Sequence, residues 1–249
     1  MTSAHRSSYD SIAQLYDRLW GDWYLPAALP ALDRLFFRRV STSSRVLDLC
    51  CGSGHVTKEL VRRGYQVTGI DNSTELIEIA RSLLPEVDFR VADASDFGLE
   101  NRVDAALSTF DSLNHILDLP RLTRAFGCAH DALNPGGLFV FDMNLEEAYT
   151  ADEQQWVVER DDWNVSLVRG TFNPDQQLAS TELIWFRRDG EADCWRRRAS
   201  VVHQRCYAEA DILDGVASAG FRDIQVTPAP EAGVEPGLAY GRIFVSAVA

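Results

Sequence analysis

The chain has 249 residues, 46% of them hydrophobic, and a formal net charge of -13. That length suits one globular domain with an insertion, and the acidic balance excludes a nucleic-acid partner, whose phosphates need a basic footprint. No apolar run approaches the roughly 20 residues that cross a bilayer, and Met1 to Arg6 lack an apolar signal core, so a cytoplasmic chain with no membrane partner is expected.

Residues 8 to 39 read as a helical cap rich in aromatic residues. Tyr9-Asp10 and Tyr16-Asp17 are spaced so that both tyrosines share one helix face, and Trp20, Trp23 and Tyr24 follow. Such a stripe serves either core packing or a cap folded over a ligand.

Residues 45 to 144 carry alternating strands and helices. Val46 to Leu49 is an apolar run containing one carboxylate, Asp48; Cys50 to Gly54 is a glycine turn; and Val56, Leu60 and Val61 then line one face of a helix stopped by Gly64. A buried parallel strand, a glycine turn and a helix make the nucleotide-binding opening of a Rossmann-like sheet. The acid selects the nucleotide. A pyrophosphate needs a loop free of carboxylates facing a helix N-terminus, and the third glycine of the dinucleotide pattern is replaced by Thr57. Asp48 suits a ligand with an ammonium and a sulfonium, as in S-adenosylmethionine.

Tyr65 to Asp71 is a second strand ending in an acid, placed to accept both ribose hydroxyls. Val87 to Asp93 is a third, with Asp93 placed to receive an adenine amino group and Asp96 close enough to substitute. Val103 to Ser108 is the fourth strand and runs into Thr109 to His115. A helix near 120 to 133 has Leu122, Ala125, Phe126, Ala129 and Leu133 on one stripe, and Leu138 to Asp142 is the fifth strand.

Residues 145 to 207 read as an inserted β lid. Trp163, Val165 and Leu167 alternate with Asn164 and Ser166, Leu183 to Arg187 and Trp195 to Val202 are further strands, and Asp189-Gly190 is a hairpin turn. Residues 208 to 249 close the domain: a helix with Ile212, Leu213 and Val216 inward and Gly220 as its stop, then strands Asp223 to Val226 and Ile243 to Val248.

The ordered set of loop, three acids and Leu133-Asn134-Pro135-Gly136-Gly137 resembles the class I SAM-dependent methyltransferases, and Asp111 to His115 resembles the loop of bacterial aminosugar-type N-methyltransferases. The resemblance implies an α/β fold: a Rossmann-like seven-stranded, mostly parallel sheet with an antiparallel edge hairpin, an antiparallel β lid and an N-terminal helical cap. It implies S-adenosyl-L-methionine as cofactor, held by Asp48, Cys50, Gly52, Gly54, Asp71, Asn72, Asp93, Ala94, Thr109 and Tyr24. It implies His115 and Tyr16 as catalytic candidates, Tyr16 near the transferred methyl group. Cys50 departs from the family, where glycine or alanine is usual.

The expected reaction is methyl transfer to a small molecule, at an amine nitrogen or, second, at oxygen. A non-catalytic SAM-binding module and aminopropyl transfer are the alternatives. His115 as a proton acceptor is weighed evenly against a packing histidine. His55, His130 and His203 are expected on surfaces without partners, and the arginine runs 187 to 188 and 196 to 198 as solvated faces. The five cysteines show no metal-ligand spacing and read as free thiols. Asp111 and Asp142 lack the full carboxylate set of a hard-cation site, so no metal is expected. A monomer or homodimer fits.

Overall fold

The structure is a computed structural model describing residues 7–150, 156–189 and 194–249. Helix α1 (Ala13–Leu32) follows a short 3₁₀ turn, Asp10–Ile12. The core then runs β1 (Arg45–Leu49), α2 (His55–Arg62), β2 (Gln66–Asp71), α3 (Thr74–Leu83), β3 (Asp88–Val91), β4 (Val103–Ser108), α4 (Leu119–Ala132), β5 (Leu133–Asn144). After α5 (Glu146–Thr150) come the insertion strands β6 (Val157–Arg160), β7 (Asn164–Asn173), β8 (Leu178–Arg188) and β9 (Trp195–Arg205). The chain ends with α6 (Glu209–Ser218), β10 (Arg222–Pro228), α7 (Ala229–Ala232), α8 (Pro236–Ala239) and β11 (Arg242–Val248).

Seven strands form one sheet in the order β10-β11-β5-β4-β1-β2-β3, parallel except for β11, which pairs antiparallel with both β5 and β10. Alternate residues of each central strand face opposite layers. Val46, Ala105, Leu107 and Val140 pack towards α1 and α2, while Leu47, Leu49, Phe139 and Phe141 pack towards α4 and α6. Burial on both faces explains why these strands read as continuous apolar runs. Each fully buried Leu or Phe contributes about 1.5–3 kcal/mol over an exposed one. Two local devices set the helix starts: Ser73 accepts from Leu76 N, and Asp118 accepts from Arg121 N.

The lid is a separate antiparallel sheet, β6-β7-β8-β9. Strand β6 was not foreseen, β8 and β9 are longer than expected, and Gly190 of the anticipated turn lies outside the described residues. The alternation over β7 has a defined inward face. Ser166 and Val168 face the body of the protein beside Trp185 and Leu183, whereas Trp163 is half exposed. The reason is register: Trp185 and Leu183 pack with Val202 on Ile12 and Leu15 of the cap, and their cross-strand partners must share that face. Polar ties reinforce it, from Arg187 to Gln14 at 2.8 Å, Arg198 to Ser11 O at 3.3 Å and Arg18 to Asp161 at 2.6 Å. These contacts correct the reading of the arginine runs as wholly solvated. Among the described residues no helix is long and apolar enough to cross a membrane.

Candidate active site

The sheet order reverses between β1 and β4, so the loops leaving their carboxyl ends lie side by side, the place where open α/β sheets bind ligands. The first of these is the glycine turn. Gly52 (φ 54°) and Gly54 (φ 89°) hold left-handed backbone that a Cβ disfavours. A Cβ on Gly54 would sit 3.2 Å from Ala80 Cβ, and one on Gly52 would sit 3.5 Å from the Tyr16 ring. Cys50 is left-handed too (φ 61°), a conformation costing about 1–2 kcal/mol with a side chain, which is a physical reason for glycine to be usual there. Burial pushes the Cys50 and Cys51 thiols up, leaving them protonated and poorly nucleophilic.

Asp48 lies on the α1/α2 side of β1, fully buried, and accepts a 2.5 Å hydrogen bond from Thr57 Oγ1. Desolvation outweighs that bond and pushes its carboxyl up to about 7. Thr57 thus fills the missing third-glycine position with a partner for the acid. Asp71 accepts from Gly52 N at 3.0 Å and Ser73 N at 2.8 Å, tying the tip of β2 to the glycine turn. Asn72 beside it is exposed. Asp93 falls two residues beyond β3, and its carboxylate accepts from Ser95 and from Arg121 at 2.5 Å. Ala94 is buried in the core beneath α4, and Asp96 is exposed.

The cap closes over this turn. Tyr16, Trp20, Tyr24, Asp48, Thr109 and Phe110 line a cleft of about 410 Å³, counted with its open mouth. Ser53, also in its wall, carries a buried hydroxyl without a hydrogen-bond partner among the described residues. His55 borders the cleft as well and pairs with Asp17 of the cap at 2.7 Å, which corrects its reading as a surface residue without a partner. The other two histidines are corrected likewise: His203 bonds Ser180, and His130 packs edge-on against Phe221.

The loop after β4 is built by a carboxylate. Phe110 (φ 63°) and Asp111 (φ 45°) are consecutive left-handed residues, and their N–H groups both point at Asp142, at 2.7 and 3.1 Å. Such paired amides form an anion-binding concavity. Asp142 also accepts from Tyr24 OH at 3.1 Å and from Arg242, whose guanidinium reaches Asp111 at 2.6 Å. Phe110 is thereby held face to face with Tyr24, ring centroids 4.5 Å apart. Sequence reasoning weighed Asp111 and Asp142 only as metal ligands and overlooked Arg242, since a lone arginine at a strand start gives no local signal.

His115 closes the 3₁₀ turn Ser112–His115 that follows. Its Nδ1 lies 2.8 Å from the His203 carbonyl oxygen of the lid, which can only accept. Nδ1 therefore carries the proton, and Nε2 accepts from the Tyr9 hydroxyl at 2.9 Å. Desolvation lowers the His115 pKa below its ordinary value, so the ring is neutral near pH 7. Tyr16 makes no such bond; it packs edge-on to Tyr9 and over the glycine turn. The residue touching His115 is therefore Tyr9, which the sequence had placed on the same face without singling it out. Asn114 is a fastener, joining Asn144 of β5 to Arg205 O of the lid.

This arrangement has relatives. A family model described as a methyltransferase domain matches residues 46–137. The ubiquinone biosynthesis O-methyltransferase of Xanthomonas oryzae pv. oryzae (strain PXO99A) is 31% identical over 78% of this chain and 88% of its own length. The chain belongs to the class I SAM-dependent methyltransferases. Solved structures of that fold superpose over nearly the whole chain. An S-adenosylmethionine-dependent methyltransferase from Clostridium acetobutylicum ATCC 824 has a TM-score of 0.78 at 22% identity, covering 97% of this chain and 99% of that one. The sugar N-methyltransferase KedS8 from Streptoalloteichus sp ATCC 53650 has a TM-score of 0.79 at 21% identity, covering 100% and 96%. The cofactor of this methyltransferase is S-adenosylmethionine. Its cleft fits that group: the Asp48 carboxylate in its wall, a glycine cradle under Tyr16, and the unpartnered Ser53 hydroxyl.

Proposed function

We propose that this methyltransferase acts on a small molecule at an amine nitrogen. The observation that carries the reading is the Tyr9–His115 pair, with its tautomer set by the His203 carbonyl and its imidazole neutral. The cofactor supplies a methyl group on a sulfonium, electrophilic enough to need no activation, and displacement by nitrogen leaves the bond's electron pair on sulfur. What remains for the protein is alignment, exclusion of water and one proton. Asp48, Thr109, Tyr16, Tyr24 and the glycine turn Cys50–Gly54 are the residues that would hold the cofactor, with Asp71 and Asn72 towards its ribose and Asp93 and Ala94 towards its base.

The amine must lose a proton to expose its lone pair. Tyr9 donates its own proton to His115 Nε2, which turns a lone pair of its oxygen towards the acceptor. A proton taken by that oxygen replaces the one passed to Nε2, and the imidazolium so formed is held at Nδ1 by the His203 carbonyl. Tyr16 packs against Tyr9 and shapes the approach. Because His203 belongs to β9, the relay is complete only with the lid seated, which links proton transfer to exclusion of water.

The 31% identity to an O-methyltransferase favours oxygen as the second reading, and the same relay would take a phenolic proton. A panel of small amines and phenols incubated with the enzyme and S-adenosylmethionine, with products identified by mass spectrometry, separates the two. N-methylated products support the proposal. Methylation of phenols alone overturns it in favour of oxygen, and binding of S-adenosylmethionine with no transfer to any member favours a non-catalytic module.

A further inference from the structure

The stretch from Ser7 to Ile12, which carries Tyr9, runs as a strap between the lid and helix α3. Strand β9 holds it from one side. Ser200 Oγ donates to Ser8 O at 3.4 Å, Arg198 donates to Ser11 O at 3.3 Å, and Ile12 is buried in one cluster with Val202. Asp10 holds the other side. Its Oδ1 accepts from Ser73 Oγ at 2.7 Å and, over a longer 3.4 Å, from Glu75 N. The carboxylate thus meets the first turn of α3, where the helix dipole favours a negative charge.

Ser73 faces two ways. It is fully buried, its N–H donates to Asp71 Oδ1 at 2.8 Å, and its hydroxyl both donates to Asp10 and accepts from Leu76 N. One serine therefore joins the carboxylate placed towards the ribose to the carboxylate next to Tyr9. Packing does not do the same work. A groove of about 740 Å³, counted with its open mouth, lies among Asp10, Gln14, Glu75, Glu78 and Arg198. The strap is not wedged against α3 there, so its place is set by the bonds of Asp10. One residue back, the Tyr9 hydroxyl must stay at 2.9 Å from His115 Nε2. A misplacement of about 1 Å is enough to cost roughly 10²-fold in rate.

We infer that Asp10 is a positioning residue: by fastening the strap to Ser73 it holds the Tyr9 hydroxyl on His115. The acceptor relay is then built on the cofactor-binding loop itself. This rests on the methyl-transfer reading and its Tyr9–His115 pair, and it adds the residue that sets that pair's geometry.

The test compares Asp10→Ala and Asp10→Asn in the wild-type and Tyr9→Phe backgrounds, with the best amine of the panel as acceptor. Asp10→Ala is expected to lower kcat roughly 10–10²-fold, with affinity for S-adenosylhomocysteine unchanged. Asp10→Asn, whose amide oxygen still accepts from Ser73, should restore most of the rate. In Tyr9→Phe the further change to Asp10→Ala should cost little, because the hydroxyl it positions is gone. An equal fall in both backgrounds overturns the inference, as does full activity of Asp10→Ala when Tyr9→Phe is impaired.

A second readout does not depend on turnover. The ring-nitrogen NMR signal of His115, in enzyme with isotope-labelled histidine bound to S-adenosylhomocysteine, is identified by its absence from His115→Asn. It should shift in Asp10→Ala as it does in Tyr9→Phe, and return in Asp10→Asn. A signal unmoved by Asp10→Ala overturns the inference. If Tyr9→Phe keeps full activity, the relay reading is what fails, and this signal alone then decides whether Asp10 holds Tyr9 on His115. Should Asp10→Ala not fold, Asp10→Ser, too short to reach Ser73, takes its place in both measurements.

Discussion

Thr57 Oγ1 donates a 2.5 Å hydrogen bond to Asp48 Oδ2 across the glycine turn, and this bond is what makes a buried carboxylate tolerable beside the cofactor cleft. Tolerable is not free of cost. Asp48 is held up at about 7, above its unfolded value of about 3.9, so the folded protein binds the extra proton. The contribution of Asp48 to stability should therefore be fullest below pH 4 and fall as pH rises towards 7, the reverse of a salt-bridged acid. Asp48→Asn, which keeps an acceptor for Thr57, should raise the Tm of the cofactor-free protein at pH 8 and leave it unchanged at pH 4. Thermal melts at the two pH values check this, and an equal gain at both would refute the assignment.

Asp71 couples the second strand to the loop of the first through Gly52 N and Ser73 N. Asp71→Ala should weaken S-adenosylmethionine by about 1.5–3 kcal/mol, the range for a charge-assisted bond, because both the loop and a ribose acceptor are lost. NADH should show no submillimolar binding to the wild type. Calorimetry measures both, and an unaltered affinity in the variant would remove Asp71 from the cofactor site.

The sheet, the glycine turn and the acids at the ends of β1 and β2 were legible because their determinants are local: apolar runs, glycines and single carboxylates in fixed order. Asp48 and Gly52 needed no partner to be noticed. What escaped was built from residues far apart in the chain. Arg242 meets Asp111 and Asp142 only after β11 inserts beside β5, and Tyr9 meets His115 only once the cap folds back. The lid's phase was out of reach for a related reason. Its inward face is set by Ile12 and Leu15 of the cap, so a two-residue period gives the existence of two faces but not which one is buried. The short strand β6 and helix α5 carry too few residues for a periodic signal.

Tyr9 and His115 form one unit, so their variants should not add. His115→Asn and Tyr9→Phe should each lower kcat by roughly 10²–10⁴-fold, the range for general acid–base help, and the double variant should fall little further. Affinity for S-adenosylmethionine should stay intact in all three. Because burial lowers the His115 pKa, the wild-type rate should hold through pH 6.5 and decline only below it, as the ring takes up a proton and ceases to accept from Tyr9. A decline centred above pH 6.5, or additive losses in the double variant, would separate the two residues.

Arg242 should prove the most sensitive single position for stability. Its guanidinium is the only cation bonded to the buried Asp111 and Asp142 among the described residues, and those carboxylates in turn hold the left-handed Phe110–Asp111 turn against Tyr24. Arg242→Met removes the cation and strands two like charges, which is expected to cost about 3–5 kcal/mol. Protonation of Asp142, whose carboxyl burial already pushes up, would relieve the repulsion, so the loss in Tm should be smaller at pH 5 than at pH 8. Adding Asp111→Asn to Arg242→Met should recover part of the stability, since one uncompensated charge is removed while Gln204 keeps an amide partner. It should not recover cofactor affinity fully, because nothing then ties β11 to the turn that presents Phe110. Chemical denaturation and calorimetry on the two variants test both halves. If Arg242→Met melts like the wild type at pH 8, the turn is held by Asp142 alone and the guanidinium is dispensable.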